Sequence, residues 1–237
     1  MSLALFLAAT VFVTNERAGT VSMIDPAKKA VITTVALGTR TRGIALSPDG
    51  PGLYVAVSHF LGTPAKTQDH IAIVDTTKLA VARGLPSGTD PESIAISPDG
   101  RRIDISNERS GTESIVDVGR GKTDAALVVG TEPEGVGASP DGRWVYVTGE
   151  ASNTVTVIDA RTDKVVNNIF VDARPRSAVF SRDSRRAYVG CEVGRVLEVI
   201  DTTTQRVSAR SVLDTATDRV VKTTEAGGGT WGVVIRS

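Results

Sequence analysis

The stretch Tyr146–Asp159, YVTGEASNTVTVID, decides the fold. In its second half Val155 and Val157 alternate with Thr154 and Thr156, the period-two pattern of a strand with one apolar face. Its first half is an aromatic-led, β-branched run, and the Gly, Ser and Asn between the halves are turn formers. Related stretches recur: FVTNERAGTVSMID from Phe12, YVAVSHF from Tyr54, DISNERSGTESIVD from Asp104 and YVGCEVGRVLEVID from Tyr188. Their starts lie 42, 50, 42 and 42 residues apart. The aspartates Asp25, Asp75, Asp117, Asp159 and Asp201 follow the same ladder. So does SPDG at Ser47, Ser97 and Ser139, which decays to SRDS at Ser181. Three markers keeping one period identify an internal repeat.

Outward from that stretch, each unit carries two more runs of strand character. One precedes the SPDG turn, as in GIALS, where Ile44 and Leu46 share a face opposite Ala45. The other follows the closing aspartate, as in KVVNNIFV. Asp followed by a polar residue, and Pro-Asp-Gly, are turn chemistry, so both sets read as structural. Four short strands in ~42 residues make an antiparallel meander with the proportions of a β-propeller blade. One such blade cannot bury both faces, so blades must stack, and stacking in a circle leaves no exposed end.

The predicted fold is therefore all-β, a five-bladed β-propeller of four-stranded antiparallel blades. Small or apolar residues are expected nearest the axis: Ala45, Ala95, Gly137, Val179 and Val234. The C-terminal WGVVIRS, Trp231–Ser237, matches RGIALSP of a first strand, whereas the repeat opens in a second strand near Val11. The C-terminal strand is thus expected to pair with the N-terminal blade and close the ring. Residues 11–237 read as one domain. Residues 1–10 read as a lead-in whose apolar run is either a signal remnant or a cloning scar or lead-in to the first strand. Blade two carries an insertion within SHFLGTPAKTQDH. In blade five, IDTTTQRVSAR is echoed 13 positions later by LDTATDRVVKT, a duplication or the scar of a lost blade, and either copy could form the outer strand.

Lys and Arg number 27, as do Asp and Glu, so the chain lacks the basic excess of a nucleic-acid binder, and no nucleic-acid partner is expected. No run approaches the ~20 apolar residues of a membrane span, so no membrane insertion is expected. Cys191 is the single cysteine, which excludes an intrachain disulfide. A closed ring predicts a monomer.

The quoted stretches, with SGTDPESIAISPDG and GTEPEGVGASPDG, resemble the YVTN-type β-propeller repeat family over about Val11 to Ile235. Within it they look most similar to bacterial propellers associated with PQQ-dependent alcohol catabolism and to surface-layer-like proteins. The resemblance implies export, to the periplasm or the cell exterior. The chain departs from the family in having five repeats where seven are usual, in Asp104 at the aromatic position, and in Cys191 at the Asn position.

Two sets of residues stand at repeat-equivalent places on one face. Glu16, Glu108, Glu150 and Glu192 end the YVTN strand in four repeats, with Ser58 in the fifth. Arg42, Glu92, Glu134, Arg176 and Trp231 precede the innermost strands. Together they would form two rings at the channel mouth. One reading is a ligand funnel, with Arg42 and Arg176 opposing Glu92 and Glu134 and Trp231 as an apolar wall. The other is repeat-consensus structure, with Arg and Glu paired across blades. His59, Asp69 and His70, in the blade-two insertion, have no metal-site spacing and read as solvated loop residues. No P-loop, GxSxG elbow, HExxH or CxxC pair is present, so no catalytic residue, metal or cofactor is assigned. The sequence reads as a non-enzymatic binding or scaffold protein whose ligand, protein or small molecule, sits at the charged mouth. The alternative is a lactonase- or lyase-like enzyme using the mouth carboxylates, of which Glu92 and Glu134 are a pair suited to acid–base work.

Overall fold

The structure is a computed structural model and describes residues 10–60, 68–212 and 230–236. It holds five antiparallel sheets of four strands each. The first is built from β1 (Thr10–Asn15), β2 (Thr20–Asp25) and β3 (Ala30–Ala36), with β20 (Thr230–Arg236) hydrogen-bonded along β1. The second runs β4 (Arg40–Leu46), β5 (Gly52–Ser58), β6 (His70–Asp75) and β7 (Ala80–Pro86). The third contains β8 (Pro91–Ile96), β9 (Arg102–Asn107), β10 (Thr112–Asp117) and β11 (Lys122–Val128). The fourth contains β12 (Pro133–Ala138), β13 (Trp144–Gly149), β14 (Thr154–Asp159) and β15 (Lys164–Phe170). The fifth contains β16 (Pro175–Phe180), β17 (Arg186–Cys191), β18 (Val196–Asp201) and β19 (Arg206–Val212). The first copy of the blade-five duplication thus forms the outer strand, and the second copy lies outside the described residues. No helix of the described residues is long and apolar enough to cross a membrane.

The repeated aspartates make the turns. Asp25 Oδ1 accepts the amides of Ala27 and Lys28 at 2.9 and 3.0 Å, and Asp75, Asp159 and Asp201 act alike on their own turns. In the SPDG turn, Asp99 accepts from Ser97 Oγ and from the Arg101 amide, and Gly100 takes the left-handed conformation that a side chain disfavours, at φ 71°.

The sheets pack face to face through the alternate residues of their strands. Phe12 and Val21 of the first sheet meet Leu53, Val55 and Val74 of the second. Tyr54, Ile71 and Leu85 of the second meet Ile94, Ile103 and Ile105 of the third. Tyr146 and Val155 of the fourth meet Ala178, Ala187 and Val189 of the fifth. Burying each such large side chain contributes about 1.5–3 kcal/mol. The innermost strands lie side by side in the order β20, β4, β8, β12, β16. Their approach is tight: a Cβ on Gly43 would come 2.5 Å from the Glu92 carbonyl oxygen, and one on Gly135 would come 2.6 Å from that of Arg176. Ala95 is buried as expected for this row, but Val179 is 62 % exposed.

The seam between the third and fourth sheets differs. Asp104 and Glu113 hold the places taken by Tyr146 and Val155 one blade on, and both are buried. Arg102 donates from Nε and Nη2 to Asp104 Oδ1 at 2.8 and 2.5 Å. Its Nη1 reaches across the seam to the Ala160 carbonyl and to Asp163. Both Glu113 oxygens and Asp104 Oδ2 are left with no other donor. One proton on Glu113, donated to Asp104 Oδ2, partners that oxygen and one of the two Glu113 oxygens. Burial and the neighbouring Asp104 push the Glu113 carboxyl well above the ordinary range, as that sharing requires. The aromatic missing from this repeat is therefore replaced by a buried acid pair.

Candidate functional site

A local device repeated in the sheets presents the two sets of repeat-equivalent residues. The pairing of each innermost strand with its neighbour slips by a bulge near the mouth end, between Thr41 and Ile44, Pro91 and Ile94, Pro133 and Val136, and Pro175 and Ser177. A bulge re-aims the side chains it contains, and these contain Arg42, Glu92, Glu134 and Arg176. In three repeats a proline precedes the site residue, and the residue before it is left-handed: Asp90 (φ 60°), Glu132 (φ 52°) and Arg174 (φ 59°). Hydroxyls of the second strands steady the bulges. Thr14 Oγ1 donates to the Arg42 carbonyl at 2.8 Å, Ser106 Oγ to that of Glu134 at 2.5 Å, and Thr148 Oγ1 accepts from the Gly135 amide at 2.8 Å.

The two rings of residues condense into two clusters. In the first, Arg42 pairs with the buried Glu92, with Glu16 at 3.0 Å and with Glu108 at 3.7 Å. Arg40 joins it, binding Glu16 at 2.8 Å, Asp90 at 2.5 Å and Glu92 at 3.6 Å. In the second, Arg176 pairs with Glu150, with Glu134 at 3.3 Å and with Glu192 at 3.8 Å. Arg174 binds Glu150, Nε to Oε1 at 2.6 Å, and Glu192 at 3.7 Å. The arginines therefore do not oppose Glu92 and Glu134 across an opening; they pair with them between neighbouring blades. Trp231 stands on β20 by its backbone, and its side chain, expected as an apolar wall, lies outside the described residues.

These clusters set the carboxyl affinities for protons. Burial works against the charge of Glu16, but hydrogen bonds and attraction from Arg40 and Arg42 hold it below the ordinary range. Glu134 is pushed up to about 7 by burial, only partly offset by Arg176, and by a hydrogen bond shared with Glu150. Burial also opposes the Glu150 charge, but Arg174, Glu134 and Arg176 together hold Glu150 low. Of the pair, Glu134 holds a proton more firmly than Glu150.

Three residues of this site escaped the sequence reading: Arg40, Asp90 and Arg174. Each lies two positions before a ring residue, and the signal was the residue pair flanking Thr41, Pro91 and Pro175. Asp90, Glu92 and Glu108 each offer a carboxylate oxygen within 4.8 Å of the others, and Arg40 and Arg42 already sit against the group. His59 and Asp69 are not solvated. They are 11 % and 17 % exposed and bond at 2.8 Å, and Asp69 accepts the Asp90 amide at 2.8 Å, while His70 Nδ1 engages the Gln68 carbonyl.

The comparisons with known proteins follow the same architecture. A family model, Cytochrome D1 heme domain, matches residues 64–176. Among solved structures, Kuenenia stuttgartiensis hydrazine synthase is 28 % identical with a TM-score of 0.64, covering 75 % of this chain and 51 % of that one. A functionally unknown protein from Desulfotomaculum acetoxidans is 19 % identical with a TM-score of 0.69, covering 86 % of this chain and 66 % of that one. The fold is a β-propeller. No curated protein matches the chain. This propeller spans about half of the hydrazine synthase chain it matches.

A haem, which the matched family's description implies, takes axial His, Met, Cys or Tyr. The side chains at this mouth, among the described residues, are Arg, Glu and Asp. His59 and His70 bond through Nδ1, to Asp69 and to the Gln68 carbonyl, which leaves Nε2 as the nitrogen that could act as a ligand. Cys191 is buried, and its thiol is pushed up to about 11 chiefly by burial, which keeps it protonated. Among the described residues, the Arg–Glu clusters themselves supply no axial ligand for a haem.

Proposed function

We propose that the five sheets close into a ring and that the chain is a binding module, not an enzyme, receiving a cationic group at a carboxylate-rich mouth. One observation carries this reading. At the mouth Arg40, Arg42, Arg109, Arg174 and Arg176 face six carboxylates, Glu16, Asp90, Glu92, Glu108, Glu150 and Glu192, with the proton-holding Glu134 beside them, an acidic excess in a chain whose charges balance overall. Packed sheets focus that negative field outward. The pairing of β20 with β1 supports ring closure, because it joins the two ends of the described chain in one sheet. The YVTN-like repeats support a periplasmic or cell-surface setting.

The test uses a labelled nona-arginine peptide. Wild-type protein is expected to bind it with an affinity that falls steeply as salt rises. Glu108→Gln with Glu192→Gln, both at partly exposed positions, should weaken binding about tenfold. Equal binding of nona-glutamate, or no effect of the substitutions, would overturn the reading.

A second reading has its own support in the three carboxylates Asp90, Glu92 and Glu108, which could hold a divalent cation for lactone hydrolysis. Metal-dependent lactone turnover that disappears in Glu108→Gln would favour it over the binding module.

A further inference from the structure

The repeat places an arginine clamp at two of its seams and withholds it at a third. At the seam of the first and second sheets, Arg40 reaches back to Glu16 of the preceding blade, Nε to Oε1, at 2.8 Å. At the seam of the fourth and fifth, Arg174 reaches back to Glu150 in the same way, at 2.6 Å. Each clamp fills the gap between a strand-end glutamate and the next blade's loop. At the seam of the third and fourth sheets the clamp position is Glu132 and the strand-end residue is Glu108.

The scaffold there is otherwise the same. Glu132 has φ 52° and Arg174 has φ 59°. The Glu132 carbonyl accepts the Glu150 amide at 2.9 Å, as that of Arg174 accepts the Glu192 amide at 2.8 Å. Two like charges thus line a place that holds a guanidinium at the sister seams; both border an open groove of about 720 Å³, and Glu108 also faces Arg42 at 3.7 Å. Asp90 adds a third carboxylate to its wall. Arg109 covers it in part, binding Asp90 at 3.2 Å from a side chain that is 44 % exposed. Val128, 81 % exposed, forms an apolar part of the lining.

We infer that this groove receives an arginine side chain from a segment of a partner protein, its guanidinium between Glu108 and Glu132 and an apolar neighbour on Val128. The inference rests on the binding-module reading and names its ligand. The occupant is drawn from the chain itself, since Arg40 and Arg174 show what the repeat's glutamates bind. A guanidinium suits the site better than an ammonium because its planar fork serves two carboxylates at once.

The test substitutes the clamp. Glu132→Arg restores the residue of the sister seam at the same backbone conformation. It is expected to fill the groove from within and leave the fold intact by circular dichroism. The probes are the blocked tripeptides Leu-Arg-Leu and Leu-Gln-Leu, followed by NMR titration. Wild type should bind the arginine peptide about tenfold or more tightly than the glutamine peptide, with shifts at Val128 and Glu132, and Glu132→Arg should remove that preference. If Glu132→Arg binds as wild type does while Glu192→Gln weakens binding, the groove assignment falls and the mouth reading stands. If neither peptide binds and nona-arginine also fails, both fall. Saturation of the groove by Ca²⁺ with no response to the peptide would overturn the assignment in favour of a metal site.

Discussion

The seam between the fourth and fifth sheets and the seam between the third and fourth are built from the same repeat but held by different forces. In the former, Tyr146 stacks edge-on against Phe180 with ring centroids 4.7 Å apart, and Arg174 clamps the top. In the latter, Asp104 and Glu113 share a proton beside Arg102, and Glu132 leaves the top open. A repeat thus fixes backbone and register while leaving the filling of each seam free to change, provided that every buried polar atom finds a partner.

The largest effect is expected from breaking the polar seam halfway. Asp104→Leu alone strands Glu113, leaves Arg102 only the Ala160 carbonyl and Asp163, and should cost about 3–5 kcal/mol in urea unfolding. Asp104→Leu with Glu113→Leu, which removes both buried acids and leaves Arg102 on Asp163 and the Ala160 carbonyl, should recover most of that loss. If the two changes were simply additive, the shared proton would have no place in the seam.

A smaller effect concerns pH. The folded Glu113 and Glu134 carboxyls lie above their unfolded value, so the folded state holds protons that the unfolded state gives up. Their contribution is fully present below the ordinary carboxylate value of about 4.5 and is lost as pH rises, for Glu134 through about 7. The melting temperature should therefore decline over that window. Glu113→Gln, whose amide can donate to Asp104 at every pH, should flatten the part of the slope that belongs to the third seam and leave the part due to Glu134.

The smallest effect belongs to the apolar seam. The Tyr146 hydroxyl is buried without a hydrogen-bond partner, and burial pushes its proton affinity up. Tyr146→Phe removes that orphan and should stabilise the chain by about 1 kcal/mol, read as a shift of the urea midpoint with an unchanged slope. A loss of stability would mean that the hydroxyl has a partner.

Much of the architecture was legible because it is periodic. The five aspartates from Asp25 to Asp201 and the SPDG turns announce hairpins through local chemistry, and β20 was legible as a first strand from its match to RGIALSP. The rings of Glu16, Glu108, Glu150 and Glu192 and of Arg42, Glu92, Glu134 and Arg176 were legible as positions. Their pairing was not, because a bulge and a left-handed residue turn each side chain toward a particular neighbour, and neither shows in a periodic pattern. Asp104 looked like erosion of the motif. Its meaning depends on Glu113, nine residues later on the next strand, and on Arg102, so it emerges only when the hairpin folds. His59 and Asp69 looked solvated because they lie in an insertion, but they bond to each other and Asp69 accepts the Asp90 amide.

In the proposed reading, both seams and the charged clusters above them belong to a closed circle of five blades. Small-angle scattering from the purified chain, coupled to size-exclusion chromatography, tests that circle directly. A closed ring predicts a concentration-independent monomer with a radius of gyration of about 18 Å, the value for a compact chain of this length. An elongated particle, or assemblies that grow with concentration through unpaired sheet edges, would contradict it.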